Sequence, residues 1–145
     1  MPKGSILLIG GDENSRQSIA TALAGRGYAV SFSVFGDECM AAARHNQPDL
    51  IILDSTLLDQ CCTQTCTDLR AMCTSPIIIL SSDKDDYDIA LGLGVGADAY
   101  LIKPVAKSVL VAQVESAMRR ETAYRKRQSK FKPIYVRNLV VDLAG

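Results

Sequence analysis

Pro48-Asp49-Leu50-Ile51-Ile52-Leu53-Asp54 is an apolar run that ends abruptly in a carboxylate. A continuous apolar run of this length after Pro-Asp, bounded by polar residues, reads as a strand buried on both faces of a parallel sheet. Asp54 is then placed at the carboxyl end of that strand, the side on which open α/β sheets form their ligand crevice. A site arises there if neighbouring strands end in complementary groups.

Upstream, Ile6-Leu7-Leu8-Ile9 is a short buried strand that breaks at Gly10-Gly11 into Asp12-Glu13-Asn14. Asn14 or Ser15 is positioned to cap a helix running to about Arg26, with Ile19, Ala22 and Leu23 inward and Gly27 after its end. Tyr28 to Phe32 is predicted as a second strand. Asp37 to Asn46 is predicted as a second helix, with Met40, Ala41 and Ala43 available for packing. Downstream, Thr63 to Cys73 gives a third helix, and Pro76 to Leu80 a fourth strand that ends in Ser81-Ser82. The charged loop Asp83-Lys84-Asp85-Asp86 leads into a helix from Tyr87 to Val95. Gly92 and Gly94 weaken that helix by about 1 kcal/mol each relative to Ala. Ala99 to Ile102 is a fifth strand ending at Lys103-Pro104, and a last helix runs from Lys107 through Arg120, burying Val109 or Leu110, Val114 and Ala117. Five β-α units in strict alternation predict a doubly wound parallel sheet with helices on both faces.

At 145 residues and 48% hydrophobic, the chain can bury one sizeable core. Residues 1–121 are read as one domain, 122–132 as a basic linker, and 133–145 as the opening of a second domain. In that last stretch Pro133 to Val136 and Leu139 to Leu143 form two short strand-like runs. The formal net charge is zero but unevenly spread: residues 1–118 hold 8 Lys and Arg against 14 Asp and Glu. From Arg119 to Lys132 seven basic residues oppose only Glu121, a pattern read as a solvated helix end and linker. No apolar run approaches the ~18 residues of a membrane span, and the start MPKGS lacks a signal-peptide core, so a cytoplasmic protein is expected. Five cysteines, an odd number, fit reduced thiols. Cys62, Cys66 and Cys73 fall on one side of the third helix and are read as small hydrophobes, with His45 on a different helix. Neither a Gly-Lys-Ser/Thr nor a GxGxxG pattern follows Gly10-Gly11, which argues against a nucleotide-binding loop.

The predicted strand ends bring together Gly10, Gly11, Asp12 and Glu13, then Asp54, then Ser81 and Ser82, then Lys103. A carboxylate, a hydroxyl and an ammonium on one crevice suit phosphoryl transfer. The carboxylate can act as the nucleophile that becomes an aspartyl phosphate. Lys103 supplies a point charge and Ser81 a hydrogen bond to the phosphoryl oxygens. Mg2+ normally completes such a site through one or two carboxylates, substrate oxygens and waters.

Over residues 5 to about 121 the chain resembles the receiver domain of two-component response regulators, a flavodoxin-like (βα)5 fold of the CheY type. The resemblance rests on Pro48-Asp49 through Leu53-Asp54, Leu80-Ser81, Gly96-Ala97-Asp98 with Tyr100, and Lys103-Pro104. The tail after Lys132 is similar to the first strands of the winged-helix DNA-binding domain of the OmpR/PhoB-type subclass. The likeness implies that Asp54 is the phospho-acceptor, Ser81 the switch hydroxyl, Tyr100 the switch aromatic and Lys103 the phosphate-binding lysine. It further implies a sensor histidine kinase as donor and DNA contact through the C-terminal domain rather than the receiver. It also implies a homodimer through the fourth helix, fifth strand and fifth helix.

The chain departs from that family at Gly10-Gly11, which stand where the acidic metal-binding pair is usual. Asp54, with Asp12 or Glu13, is left as the candidate metal set for Mg2+. Leu58 stands at a usual Pro and Cys61-Cys62 at a usual acidic residue and Gly, which predicts a reshaped loop after Asp54. Ile89, Val109 and Gln113 occupy charged positions of the family's dimer face, so a dimer there would rest on apolar contact. Two functions follow from these features. One is a phospho-accepting switch in transcription regulation; the other is a phosphorylation-independent pseudo-receiver acting as an interaction or dimerisation module. An enzyme hydrolysing phosphate esters would need a multi-carboxylate metal site, which this sequence lacks.

Overall fold

The structure, a computed structural model, describes residues 3–56 and 60–131. Five strands alternate with five helices. In chain order they are β1 (Gly4–Gly10), α1 (Glu13–Ala24), β2 (Tyr28–Ser33), α2 (Asp37–Asn46), β3 (Leu50–Asp54), α3 (Gln60–Met72), β4 (Ile77–Ser81), α4 (Asp86–Gly94), β5 (Ala99–Ile102) and α5 (Lys107–Phe131). All strand pairs are parallel and the sheet order is β2-β1-β3-β4-β5. The central position of β3 explains its unbroken burial, since a strand paired on both edges and covered on both faces has no solvent side.

Alternation along the strands divides the core into two layers. Leu50 and Ile52 join Ile6, Leu8, Ile78 and Leu80 beneath α1 and α5, which contribute Ile19, Leu23, Leu110, Val114 and Ala117. Ile51 and Leu53 join Leu7, Ile9, Ile77 and Ile79 on the other side, under Cys39 and Ala43 of α2 and Cys62, Cys66 and Leu69 of α3. Asp54 continues the parity of Leu50 and Ile52, so its side chain emerges on the α1 face.

The elements agree with the sequence expectation, with five local differences. The first is that α3 starts at Gln60 rather than Thr63 and so includes Cys61 and Cys62 of the expected loop. The cap of α1 is Asp12, whose Oδ1 accepts the Ser15 amide at 2.7 Å, so neither Asn14 nor Ser15 caps the helix. In α2 the buried pair is Cys39 and Ala43, one turn apart, and Ala41 is turned to solvent. In α5 Leu110, Val114 and Ala117 keep the helical spacing inward, which leaves Val109 46% exposed. The basic stretch read as a linker from residue 122 continues α5 through Phe131, because residues 107–131 hold strong helix formers and neither Gly nor Pro. The run from 133 to 145, read as the opening of a second domain, lies outside the described residues, as does Leu58.

Cys39, Cys62 and Cys66 are buried and outside any disulfide, Cys73 is half-buried and Cys61 exposed. Burial pushes the Cys66 thiol up to about 11, as befits an apolar filler rather than a reactive thiolate. Among the described residues no helix is long and apolar enough to cross a membrane.

Candidate functional site

The register sets the site. Gly10 of β1 lies beside Asp54 of β3, Asp54 beside Leu80 of β4, and Ser81 beside Ile102 of β5. The carboxyl ends of four strands are therefore level, and the residues that follow them meet above the sheet. Asp54 is 1% exposed, yet both of its oxygens are engaged. Lys103 Nζ lies 2.6 Å from Oδ1 as an ion pair and donates a hydrogen bond. Ser15 Oγ donates to Oδ2 at 2.7 Å. A buried carboxylate is tolerated only when paired and hydrogen-bonded, and this one is both. Lys103 extends from the turn after β5, where it precedes Pro104 in a cis peptide, and its backbone N–H donates to Ser81 at 2.8 Å.

Ser81 is brought to the same end of the sheet and is fully buried. Its hydroxyl donates to the Thr56 carbonyl at 3.3 Å and accepts the Asp83 amide at 3.0 Å. Tyr100 faces the same loop, its hydroxyl donating to the Asp83 carbonyl at 3.1 Å. Burial raises the Tyr100 pKa, offset in part by the Ser81 hydroxyl. The network continues as Asp83 accepts the Asp85 amide at 3.0 Å and Asp85 caps α4 by accepting the amides of Tyr87 and Asp88. A continuous set of hydrogen bonds thus joins Ser81 and Tyr100 to the first turn of α4.

Gly10 and Gly11 both lie in the left-handed region, at φ +85° and +82°. A Cβ on Gly11 would stand 2.6 Å from Asp54 Oδ2, and one on Gly10 would run into the Asp54 carbonyl oxygen. At both positions the positive φ strains any side chain, and the close approach to Asp54 means that its neighbours would have to shift to admit one. Asp12 is exposed and committed to the α1 cap, and its neighbour Glu13 is likewise exposed. Among the described residues no group of three or more His, Cys, Asp or Glu side chains is placed to hold a metal. Receiver domains generally bind Mg2+ at the phosphorylation site. The donors here do not fit that ion: the buried Asp54 carboxylate already pairs with an ammonium, and Arg16 Nε donates to the Gly10 carbonyl at 3.3 Å.

Two residues of this site were not anticipated from the sequence, Ser15 and Arg16. The signal was the spacing Asp12-x-x-Ser15: with Asp12 at the cap, Ser15 in the first turn has its amide satisfied and its hydroxyl free to reach the sheet. The Gly96-Ala97-Asp98 motif proves structural. Gly96 turns at φ +128° over Arg70, Ala97 is buried, and Asp98 accepts the Ile77 amide at 2.8 Å at the opposite end of β4.

A five-stranded parallel α/β sheet with a paired aspartate at the end of its third strand defines a class of signal-receiving domains. Residues 6–115 match the response regulator receiver domain family, and the chain belongs to it. It is 35% identical over 116 residues to the transcriptional regulatory protein AfsQ1 of Streptomyces coelicolor, covering 80% of this chain and 52% of that protein. It is 34% identical over 115 residues to the DNA-binding response regulator MtrA of Mycobacterium tuberculosis, covering 79% and 50%. The chain thus spans about half the length of these curated relatives. Among solved structures, a two-component response regulator from Clostridium difficile superposes with a TM-score of 0.76 at 30% identity, over 81% of this chain and 98% of that one. The BeF3-activated receiver domain of Klebsiella pneumoniae RstA gives 0.73 at 29% identity, over 79% and 98%.

Proposed function

We propose that this receiver domain is the regulatory part of a DNA-binding response regulator, with Asp54 accepting a phosphoryl group from a sensor histidine kinase. The observation that carries the reading is the Asp54–Lys103 pair at the end of β3, a buried carboxylate beside a partly exposed ammonium. In the transfer, an Asp54 oxygen attacks phosphorus and the P–N bond to the kinase imidazole breaks. The imidazole nitrogen keeps the electron pair and is protonated from solvent. Lys103 follows the new charge onto the phosphoryl oxygens, and the Ser81 hydroxyl turns from the Thr56 carbonyl to donate to one of them. As the Ser81 Oγ swings towards the phosphoryl group it also gives up the Asp83 amide, which loosens the loop that Tyr100 holds and that caps α4.

The face fed by this network is apolar. Tyr87 and Leu91 of α4, Ile102 of β5 and Val109 of α5 are all exposed, and Ile89 and Gln113 are half-buried beside them. This surface is proposed to form a homodimer by apolar contact, bringing together DNA-binding domains that follow the receiver. Light scattering of the wild type beside Val109→Glu tests it: loss of dimer is expected in the variant, and an unchanged dimer rules this face out.

The acceptor reading is tested by intact mass after incubation with acetyl phosphate, wild type beside Asp54→Asn. One phosphoryl group gained by the wild type alone is the expected result. No gain by folded wild-type protein would overturn the reading and leave the phosphorylation-independent interaction module, which the missing acidic pair at Gly10-Gly11 favours.

A further inference from the structure

Asp54 Oδ2 is the oxygen that faces residue 11, since the Cβ position of Gly11 lies 2.6 Å from it. Where acidic side chains would reach a cation from that side, this chain offers only backbone in the left-handed conformation. Instead, the Ser15 hydroxyl sits on that oxygen at 2.7 Å. It is held there by local structure: Asp12 fixes the first turn of α1 through the Ser15 amide, and α1 packs on the face onto which Asp54 projects. The negative charge of the carboxylate is also already met by cationic side chains. Lys103 Nζ is 2.6 Å from Oδ1, and the Arg16 guanidinium lies over the Gly10 carbonyl, so a divalent ion would meet two positive charges and a single carboxylate.

We infer that the Ser15 hydroxyl takes the place of a divalent cation as the resident partner of Asp54 Oδ2, which makes Ser15 the positioning residue of the acceptor carboxylate. This deepens the acceptor reading, yet its test does not require any phosphoryl group to be transferred. A hydroxyl donor fixes the plane of the carboxylate, as a metal would, but adds no charge. The site therefore keeps its geometry at any divalent-ion concentration.

The experiment is an NMR titration of the 145-residue chain with MnCl2, together with the Asp54 side-chain carboxyl-carbon resonance in wild type, Ser15→Ala and Ser15→Thr. In the wild type, Mn2+ is expected to leave the amide signals of Gly11, Asp54 and Ser55 without selective broadening. The Asp54 carboxyl resonance moves in Ser15→Ala and returns in Ser15→Thr, a rescue that a merely structural effect of the first turn would not give. Selective broadening in the wild type that disappears in Asp54→Asn would overturn the inference, as would a carboxyl resonance unchanged in Ser15→Ala. In the acetyl phosphate assay, uptake that proceeds in MgCl2 and stops in EDTA would likewise overturn it. Absence of uptake in both buffers would instead overturn the acceptor reading, while the NMR result on Ser15 stands by itself.

Discussion

At the scale of single residues, Asp54 is held by two donors of unequal kind. Lys103 brings charge from a position 27% exposed, whereas Ser15 brings only a hydrogen bond. Removing the charged partner leaves a buried carboxylate with only the Ser15 hydrogen bond and no opposite charge. Lys103→Met is therefore expected to lower stability by about 3 kcal/mol, read from urea unfolding midpoints at unchanged slope. Asp54→Asn removes the charge but keeps an acceptor for Ser15, and should cost less than Lys103→Met in the same experiment. Gly11 makes the complementary prediction. At φ +82° and with its Cβ position 2.6 Å from Asp54 Oδ2, Gly11→Asp strains the backbone and crowds the Asp54 carboxylate out of its place. It is expected to destabilise by at least about 1–2 kcal/mol, and full stability in thermal melts would show that the turn is more pliant than its contacts imply.

At the scale of elements, α4 and α5 depart most from what propensity alone suggests. The two glycines of α4 read alike in the sequence but differ in the fold. Gly92 is buried with its Cβ position 3.1 Å from Tyr100 Cδ2 and 3.3 Å from Ile79 Cδ1, so the missing methyl lets α4 approach β5. Gly94 has nothing within 4 Å. Gly94→Ala should stabilise by up to about 1 kcal/mol. Gly92→Ala should forfeit most of that gain by displacing Tyr100, a change visible in the tyrosine near-ultraviolet circular dichroism. An equal gain at both positions with Tyr100 undisturbed would refute this account. In α5 the apolar spacing of Leu110, Val114 and Ala117 explains only the docked portion. The continuation to Phe131 rests on a run of helix formers without Gly or Pro, a composition that reads equally well in the sequence as a solvated connector.

At the scale of the whole molecule, Glu115 ties together three distant parts of the chain. From α5 it accepts Lys3 at 3.1 Å and Arg26, just beyond α1, at 3.2 Å. The Lys3 hydrogen bond, helped by Arg26, holds its carboxyl below the ordinary value of 4.5. A depressed folded-state pKa contributes stability that is present above the unfolded-state value and lost as pH falls through the folded one. Glu115→Gln should therefore melt slightly below wild type at neutral pH, and the two should converge in acid. A difference that persists unchanged into acid would assign the effect to packing rather than charge.

The sequence by itself determined the order of the five β-α units, the central burial of β3, and the placement of Asp54, Ser81 and Lys103 at strand ends. Runs such as Leu50 to Leu53 and alternation along them are local signals that a parallel sheet requires. It also marked the loss of side chains at Gly10-Gly11. Only the tertiary structure decided which groups touch Asp54. Ser15 and Asp54 are 39 residues apart, and their contact depends on how the crossover docks α1 on the α1–α5 face. That docking turns one hydroxyl of the first helical turn onto Oδ2, while the Ser81 hydroxyl bonds to the Thr56 carbonyl instead. Periodicity gives the face from which a side chain emerges, but a hydrogen bond is made or missed within a few tenths of an ångström, which packing alone fixes.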